Sequence, residues 1–262
     1  MQPSLFVSHG APTLILDPAP ARDFLAGLGD RWSRDHGRPA AILCLSAHWE
    51  TAAPAAQTTE RPETIHDFYG FPEALYRLNY AAPGAPDAAR CAIELLRDAG
   101  FDASEDSGRG LDHGAWCPLK LMFPAADVAI AQLSIQPHLG ARHHYDLGRA
   151  LAPLRRQDIL VMASGGATHN VPEAMARGPA AGETPDWAAA FDTWLCDRIA
   201  AGAVDDLVDY RARAPGAQQS HPRDEHLIPL YAALGAADGA PGRRLHASFT
   251  YGSLSMATFA FG

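Results

Sequence analysis

The sequence predicts a single α/β domain with a mixed, largely parallel central sheet flanked by helices on both faces. Three observations lead there. The 262 residues fit one large domain. Strand-like and helix-like segments alternate along the chain. The strand-like runs are almost continuously apolar, as expected of strands covered on both faces. Leu5-Phe6-Val7 is the first strand, and Pro20–Leu28 reads as a helix. Ala40–Ser46 is a second strand, followed by a Pro- and Thr-rich stretch from Ala52 to Thr64. Pro86–Ala99 is an amphipathic helix with Ala89, Ile93 and Leu96 on one face and Gly100 as its stop. Val128–Ile135 is a strand, Tyr145–Leu154 a helix, and Ile159–Ala163 a buried strand running into Ser164-Gly165-Gly166. Trp187–Ala201 and Glu225–Leu234 read as helices. Leu245–Phe259 reads as two β segments joined at Tyr251-Gly252-Ser253, which gives the sheet a mixed edge. No Pro/Gly linker divides the chain, so residues 1–262 form one domain. Residues 50–72, 102–117 and 211–224 are long irregular stretches, the kind that carry binding function.

Composition narrows the function. Hydrophobic residues at 47% and charged residues at 19% describe an ordinary globular protein. A net charge of −9 argues against nucleic acid, which needs a basic stripe. No apolar stretch reaches the ~18 residues of a membrane span, and no basic leader precedes the first strand. The four cysteines, Cys44, Cys91, Cys117 and Cys196, show no C-x-x-C spacing. Cys44 lies in an apolar run and reads as a small buried hydrophobe. A reducing, cytoplasmic setting is the expectation.

The chemistry is concentrated in the histidines. Ser8-His9-Gly10-Ala11-Pro12 and Ser46-Ala47-His48-Trp49 each follow a β run. In open α/β sheets ligands bind at the carboxyl ends of the strands, so these two imidazoles are the start of a metal site. Five further segments set ionisable groups beside glycines or turns. Thr64–Pro72 mixes His66 and Asp67 with aromatics, the composition of a pocket wall for a flat ligand. Leu111–Trp116 places His113 between an acid and a glycine, and Ser164–Asn170 puts His169 after a buried strand. Ser220–His226 opens a helix, and Gln132–His138 closes a central strand. His36, His143, His144 and His246 read as surface or edge positions, and His138 and His221 as structural.

Taken in order, S-H-G-A-P, S-A-H-W, T-I-H-D-F-Y-G-F-P, L-D-H-G-x-W, S-G-G-x-x-H-N, E-H-x-x-P-L and Y-G-S-L-S-M resemble the DOPA 4,5-dioxygenase-like branch of the class III extradiol ring-cleavage dioxygenases. The resemblance runs from residue 4 to residue 258. It implies one divalent metal at the mouth of the sheet, with His9, His48 and His226 as ligands. His169 would be a further ligand or an acid–base group, and His113 would face the substrate. Fe(II) would be the active ion, with Zn(II) able to occupy the site. The substrates would be a DOPA-like catechol and O2, joined in a muconic semialdehyde. His66, Trp49, Phe68, Tyr69 and Trp116 are the expected ring-binding residues.

One feature departs from the usual two-histidine, one-carboxylate iron site. Glu225 and His226 are neighbours, and adjacent helical residues point about 100° apart, so one of them alone can be the third ligand. The resemblance favours His226, and an all-imidazole set also suits zinc. The alternative is therefore a zinc-binding protein of the same fold with a hydrolytic or non-enzymatic role. Oligomeric state is not fixed by the sequence.

Overall fold

A computed structural model describes residues 1–262. Ten strands run β1 (Ser4–Ser8), β2 (Ala41–Glu50), β3 (Ala55–Gln57), β4 (Ser104–Asp106), β5 (Ala129–Ile135), β6 (Ile159–Gly165), β7 (Gly242–His246), β8 (Phe249–Thr250), β9 (Leu254–Ser255) and β10 (Thr258–Phe261). The helices are α1 (Pro20–His36), α2 (Glu73–Tyr76), α3 (Pro86–Asp98), α4 (His113–Met122), α5 (Gly140–Leu151), α6 (Val171–Arg177), α7 (Asp186–Ala200), α8 (Val204–Val208), α9 (Tyr210–Arg213), α10 (Ala217–Ser220) and α11 (Ile228–Ala236).

Eight strands form one sheet in the order β4-β3-β5-β2-β6-β1-β10-β7. Its centre, β5-β2-β6-β1, is wholly parallel. At the edge, β10 pairs antiparallel with β1 and β7 pairs antiparallel with β10, giving the mixed edge that the closing β segments of the sequence suggest. β8 and β9 make a separate hairpin around Tyr251-Gly252-Ser253.

The apolar runs divide by strand parity, because successive strand side chains face opposite ways. Phe6, Leu43, Leu45, Val161 and Ala163 enter one core, which α3, α5 and α11 cover. Leu5, Val7, Ile42, Cys44, Leu160 and Met162 enter the other, under α1 and α4. Each fully buried Leu, Ile or Phe contributes about 1.5–3 kcal/mol.

Several boundaries move. α5 starts at Gly140, five residues before the expected Tyr145. His144 therefore lies on the core face with Ala141, Leu147, Gly148 and Leu151, and it is fully buried instead of a surface residue. Its Nδ1 meets the Gly140 carbonyl at 2.8 Å, and its Nε2 accepts the Gln136 N–H at 3.0 Å. The last long helix begins at Ile228 rather than Glu225, because a turn closed on the Asp224 carbonyl comes first and Pro229 suits the first helical turn. α4 lies partly within the irregular stretch 102–117. It is buried on nearly all sides, so no amphipathic period announces it.

Candidate metal centre

Parallel pairing brings three strand ends to one rim. Ser8 of β1 lies beside Gly165 of β6, and Ser46 of β2 beside Ser164. His9 comes one residue past β1, and His48 lies two past Ser46. The turn before α11 delivers His226 from the other side. Its carbonyl accepts the Gly166 N–H at 2.9 Å. A Cβ at Gly165 would sit 2.0 Å from that carbonyl oxygen, so glycine is needed for the approach. Gly114 has the same role beneath His48, where a Cβ would lie 2.4 Å from Ser46 Oγ and 2.9 Å from His48 Cδ2.

The ring centroids of His9, His48 and His226 form a triangle with sides of 5.0, 5.3 and 4.9 Å. One nitrogen from each lies within 4.8 Å of the other two. Metal–nitrogen bonds of 2.0–2.1 Å hold such atoms within about 4 Å of one another, so the triangle is close to ion size. His9 Nε2 and His48 Nε2 face each other at 3.0 Å, a distance at which they share a proton or a cation.

The outer nitrogens fit this arrangement. His9 Nδ1 lies 3.0 Å from Ser164 Oγ, and the Ser164 hydroxyl donates onward to the Gly114 carbonyl. The serine proton is thus committed, and His9 Nδ1–H must be the donor, which leaves the lone pair on Nε2. His226 Nδ1 is 3.1 Å from Glu225 Oε1, and His48 Nδ1 is 3.5 Å from Asp67 Oδ2. A histidine whose far nitrogen is tied to an acceptor is oriented and made more basic toward a metal. Glu225 therefore supports His226, and it is His226 that joins the triangle with His9 and His48. Burial, reinforced by neighbouring imidazoles, holds His9 and His226 well below the usual histidine range. Burial and His113 bring His48 down to about 4. Neutral, deprotonated nitrogens are what a divalent ion requires. The donor set fits a metal.

Two more histidines flank the triangle. His113 opens α4, where the Asp112 side chain caps the helix by accepting the Ala115 N–H. Its backbone N–H donates to Asp67 Oδ1 at 2.9 Å, and its Nδ1 lies 3.0 Å from the same oxygen, off the line of a good hydrogen bond. Burial pushes the Asp67 carboxyl up, but the His113 contacts outweigh it and hold Asp67 at about 2. His169 stacks on His226, centroids 3.3 Å apart and planes 12° apart, with Nδ1 3.9 Å from Glu225. It stands beside the three-nitrogen group, outside it. Burial lowers His169 to about 3.

All five histidines line one cavity of about 290 Å³, whose upper wall includes Phe68, Phe71, Val171, Met175, Leu254 and Met256. Four expected ring-binding residues are elsewhere. Strand alternation turns Trp49 away from the side of His48, and it lies under the Arg109 guanidinium at 5.1 Å. Trp116 is fully buried behind the 64–68 loop, its indole N–H donating to the Ile65 carbonyl. His66 meets the Leu78 carbonyl at 3.0 Å, outside the cavity. Tyr69 is 90% exposed at a loop tip. Phe68 does line the cavity. Sequence reasoning placed Asp67 in a pocket wall without its histidine partners and missed the support Ser164 and the wall residues Leu254 and Met256, although all four stand inside the seven motifs.

Comparison with known proteins gives the family. Residues 3–262 match the family described as the catalytic LigB subunit of aromatic ring-opening dioxygenase. The chain is 40% identical over 262 residues to a 4,5-DOPA dioxygenase extradiol of Beta vulgaris, covering 98% of this chain and 96% of that one. It is 35% identical over 264 residues to the 4,5-DOPA dioxygenase extradiol of Escherichia coli K12, covering 99% and 94%. The crystal structure of an uncharacterized Escherichia coli K12 protein superposes with a TM-score of 0.81 at 32% identity, covering all of both chains. The chain belongs to the LigB family of extradiol, aromatic ring-opening dioxygenases.

Proposed function

We propose that this chain opens a catechol ring with O2 at one divalent metal held by His9, His48 and His226, with Fe(II) as the active ion. The observation that carries the reading is the ion-sized triangle of neutral imidazoles at the floor of a cavity, each with its outer nitrogen facing an acceptor. Held by His9, His48 and His226, a divalent metal would supply the Lewis-acid and redox chemistry that oxygen-dependent ring opening needs.

The remaining work falls to the side chains. A catechol must lose protons as it binds, and an imidazole is the side chain suited to take one. His113 is the candidate, its Nδ1 against a carboxylate held ionised at Asp67 and its Nε2 left to act as the base. His169, lying flat on His226 in the same cavity, is the second acid–base candidate, for the proton returned as the O–O bond breaks. Phe68 and Phe71 hold the ring and exclude water. Both oxygen atoms enter the product, a muconic semialdehyde.

The three-imidazole set also favours a second reading, a zinc protein without oxygenase activity, since zinc accepts such ligands readily and binds more tightly than Fe(II) in the usual order. One experiment separates them. Metal-free protein is loaded anaerobically with Fe(II) or Zn(II), then given a panel of catechols and air. Fe(II) should give equimolar oxygen uptake and a yellow semialdehyde, while redox-inert Zn(II) should give neither. No oxygen uptake with Fe(II) and any of several catechols would refute the dioxygenase reading. No helix is long and apolar enough to cross a membrane, and the substrates proposed are small molecules.

A further inference from the structure

Beside the histidine cluster lies a buried polar network centred on Asp112, whose side chain is fully buried. Four donors meet its two carboxylate oxygens. Oδ1 accepts the Ser46 hydroxyl at 2.6 Å and the Ala115 N–H at 3.2 Å. Oδ2 accepts the Gln132 amide at 2.8 Å and the Arg109 guanidinium at 3.1 Å. Gln132 meets Asp112 a second time, its Oε1 accepting the Asp112 N–H at 3.1 Å. An ionised carboxylate offers about four lone-pair positions. Those of Asp112 are filled by the protein, and it neither lines the cavity nor joins any group that could hold an ion.

Two of the donors carry the network to His48. The Ser46 hydroxyl, its proton committed to Asp112, accepts the His48 N–H at 3.2 Å. Arg109 reaches the His48 carbonyl at 3.4 Å and lies over the Trp49 ring at 5.1 Å. Both backbone groups of His48 are thus held by side chains that Asp112 orders. On the other side Asp112 caps α4, and His113 is the first residue of that helix. A Cβ on Gly114 would lie 2.9 Å from His48 Cδ2 and 3.3 Å from Asp112 Oδ1, so no side chain separates the helix from the strand. The His48 and His113 rings end with centroids 4.0 Å apart.

We propose that Asp112 is a positioning residue that fixes the spacing between His48 and His113 by holding both. The proposal rests on the dioxygenase reading for their roles as ligand and base. A carboxylate is required because all four donors need an acceptor. In Asp112→Asn, whichever way the amide lies, two of them meet an NH2, and Arg109 loses its carboxylate partner.

Three variants test this. Asp112→Asn should disturb both arms. Ser46→Ala removes the link to His48 and leaves the cap of α4. Tyr80→Phe is the control: its hydroxyl supports the far end of α4 through the Leu119 and Phe123 carbonyls, so its loss should lower Tm alone. Two readouts need no turnover, Zn(II) affinity by chelator competition and the visible spectrum of Co(II)-loaded protein, which follows ligand geometry. Asp112→Asn and Ser46→Ala should each lose about 10-fold in Zn(II) affinity, the lower end for a group that orients a ligand, and shift the Co(II) bands. In Fe(II)-loaded protein, Asp112→Asn should also lose about 10²-fold in kcat, the cost of a base misplaced by about 1 Å, with KM held within about 2-fold. Ser46→Ala, which still holds His113, should lose clearly less. Zn(II) affinity and Co(II) bands unaltered in either variant, with Tm lowered as in Tyr80→Phe, would overturn the proposal, as would equal kcat losses in the two. Should Asp112→Asn not fold, the metal readouts of Ser46→Ala decide. Altered metal readouts, with no ring cleavage of any catechol by the unmodified protein, would sink the dioxygenase reading alone. Ring cleavage with unaltered metal readouts would sink this proposal alone.

Discussion

Ser164→Ala tests whether the site is organised by the tautomer of His9. Ser164 Oγ is fully buried, accepts from His9 Nδ1 and donates to the Gly114 carbonyl. Alanine leaves both groups buried without a partner, at about 1–3 kcal/mol each. Partial relaxation should leave a loss of about 2 kcal/mol, or roughly 4–8 °C in Tm at this chain length. The diagnostic effect is on the metal. With no acceptor holding Nδ1–H outward, the ring can turn or take the other tautomer and present N–H to the ion. Losing such a partner costs about 10–100-fold in metal affinity. The assay is competition for Zn(II) against a chromogenic chelator, at a temperature well below the transition of either protein. Ser4→Ala is the control. Ser4 is an equally buried serine of β1, its hydroxyl donating to the Ala233 carbonyl. It should lower Tm and leave affinity alone. Equal affinities in Ser164→Ala and the unmodified protein, with both variants losing Tm, would refute the tautomer argument.

Two other outcomes follow from the geometry. His113→Gln keeps a polar side chain over the cavity but cannot move a proton, so it should retain one metal per chain and lose about 10²-fold or more in ring-cleavage rate. Metal content by atomic emission and oxygen uptake check this together. Metal-free protein should lose stability as pH falls below 6.5, through the buried histidines of the site and through two histidines outside it. Burial lowers His144 to about 3 and His221 to about 4. Their folded pKa values lie below the unfolded value, so the unfolded chain binds more protons and stability is lost from pH 6.5 down toward 4, at up to about 1.4 kcal/mol per pH unit for each. A Tm that stays flat over that interval in the metal-free protein would show that these imidazoles are not held neutral.

Much of the histidine cluster was legible in the chain because its signals are local. An apolar run leading into Ser-His or Ser-Ala-His points to the carboxyl-terminal part of a strand, and that edge of an α/β sheet is where ligands bind. That is enough to single out His9 and His48. The order of seven motifs then identified the family and drew in His113, His169 and His226. Strand parity alone also separates His48 from Trp49, since adjacent residues of a strand face opposite ways. What the sequence left open was which partner each side chain meets. The choice between Glu225 and His226 depends on a turn before α11 that turns His226 toward His9 and His48 and leaves Glu225 behind it as an acceptor. His144 changes from surface to core because α5 begins earlier than its composition suggests. Trp116 is hidden by a loop from residues 64–68, and the cavity wall includes Leu254 and Met256 from the far end of the chain. The sequence by itself determined the central strands β1, β2, β5 and β6 and the family, because periodicity and motif spacing are properties of neighbouring residues. The tertiary structure alone decided the tautomer-fixing contacts and the cavity wall, because each is built from segments tens to hundreds of residues apart that meet only when the sheet closes.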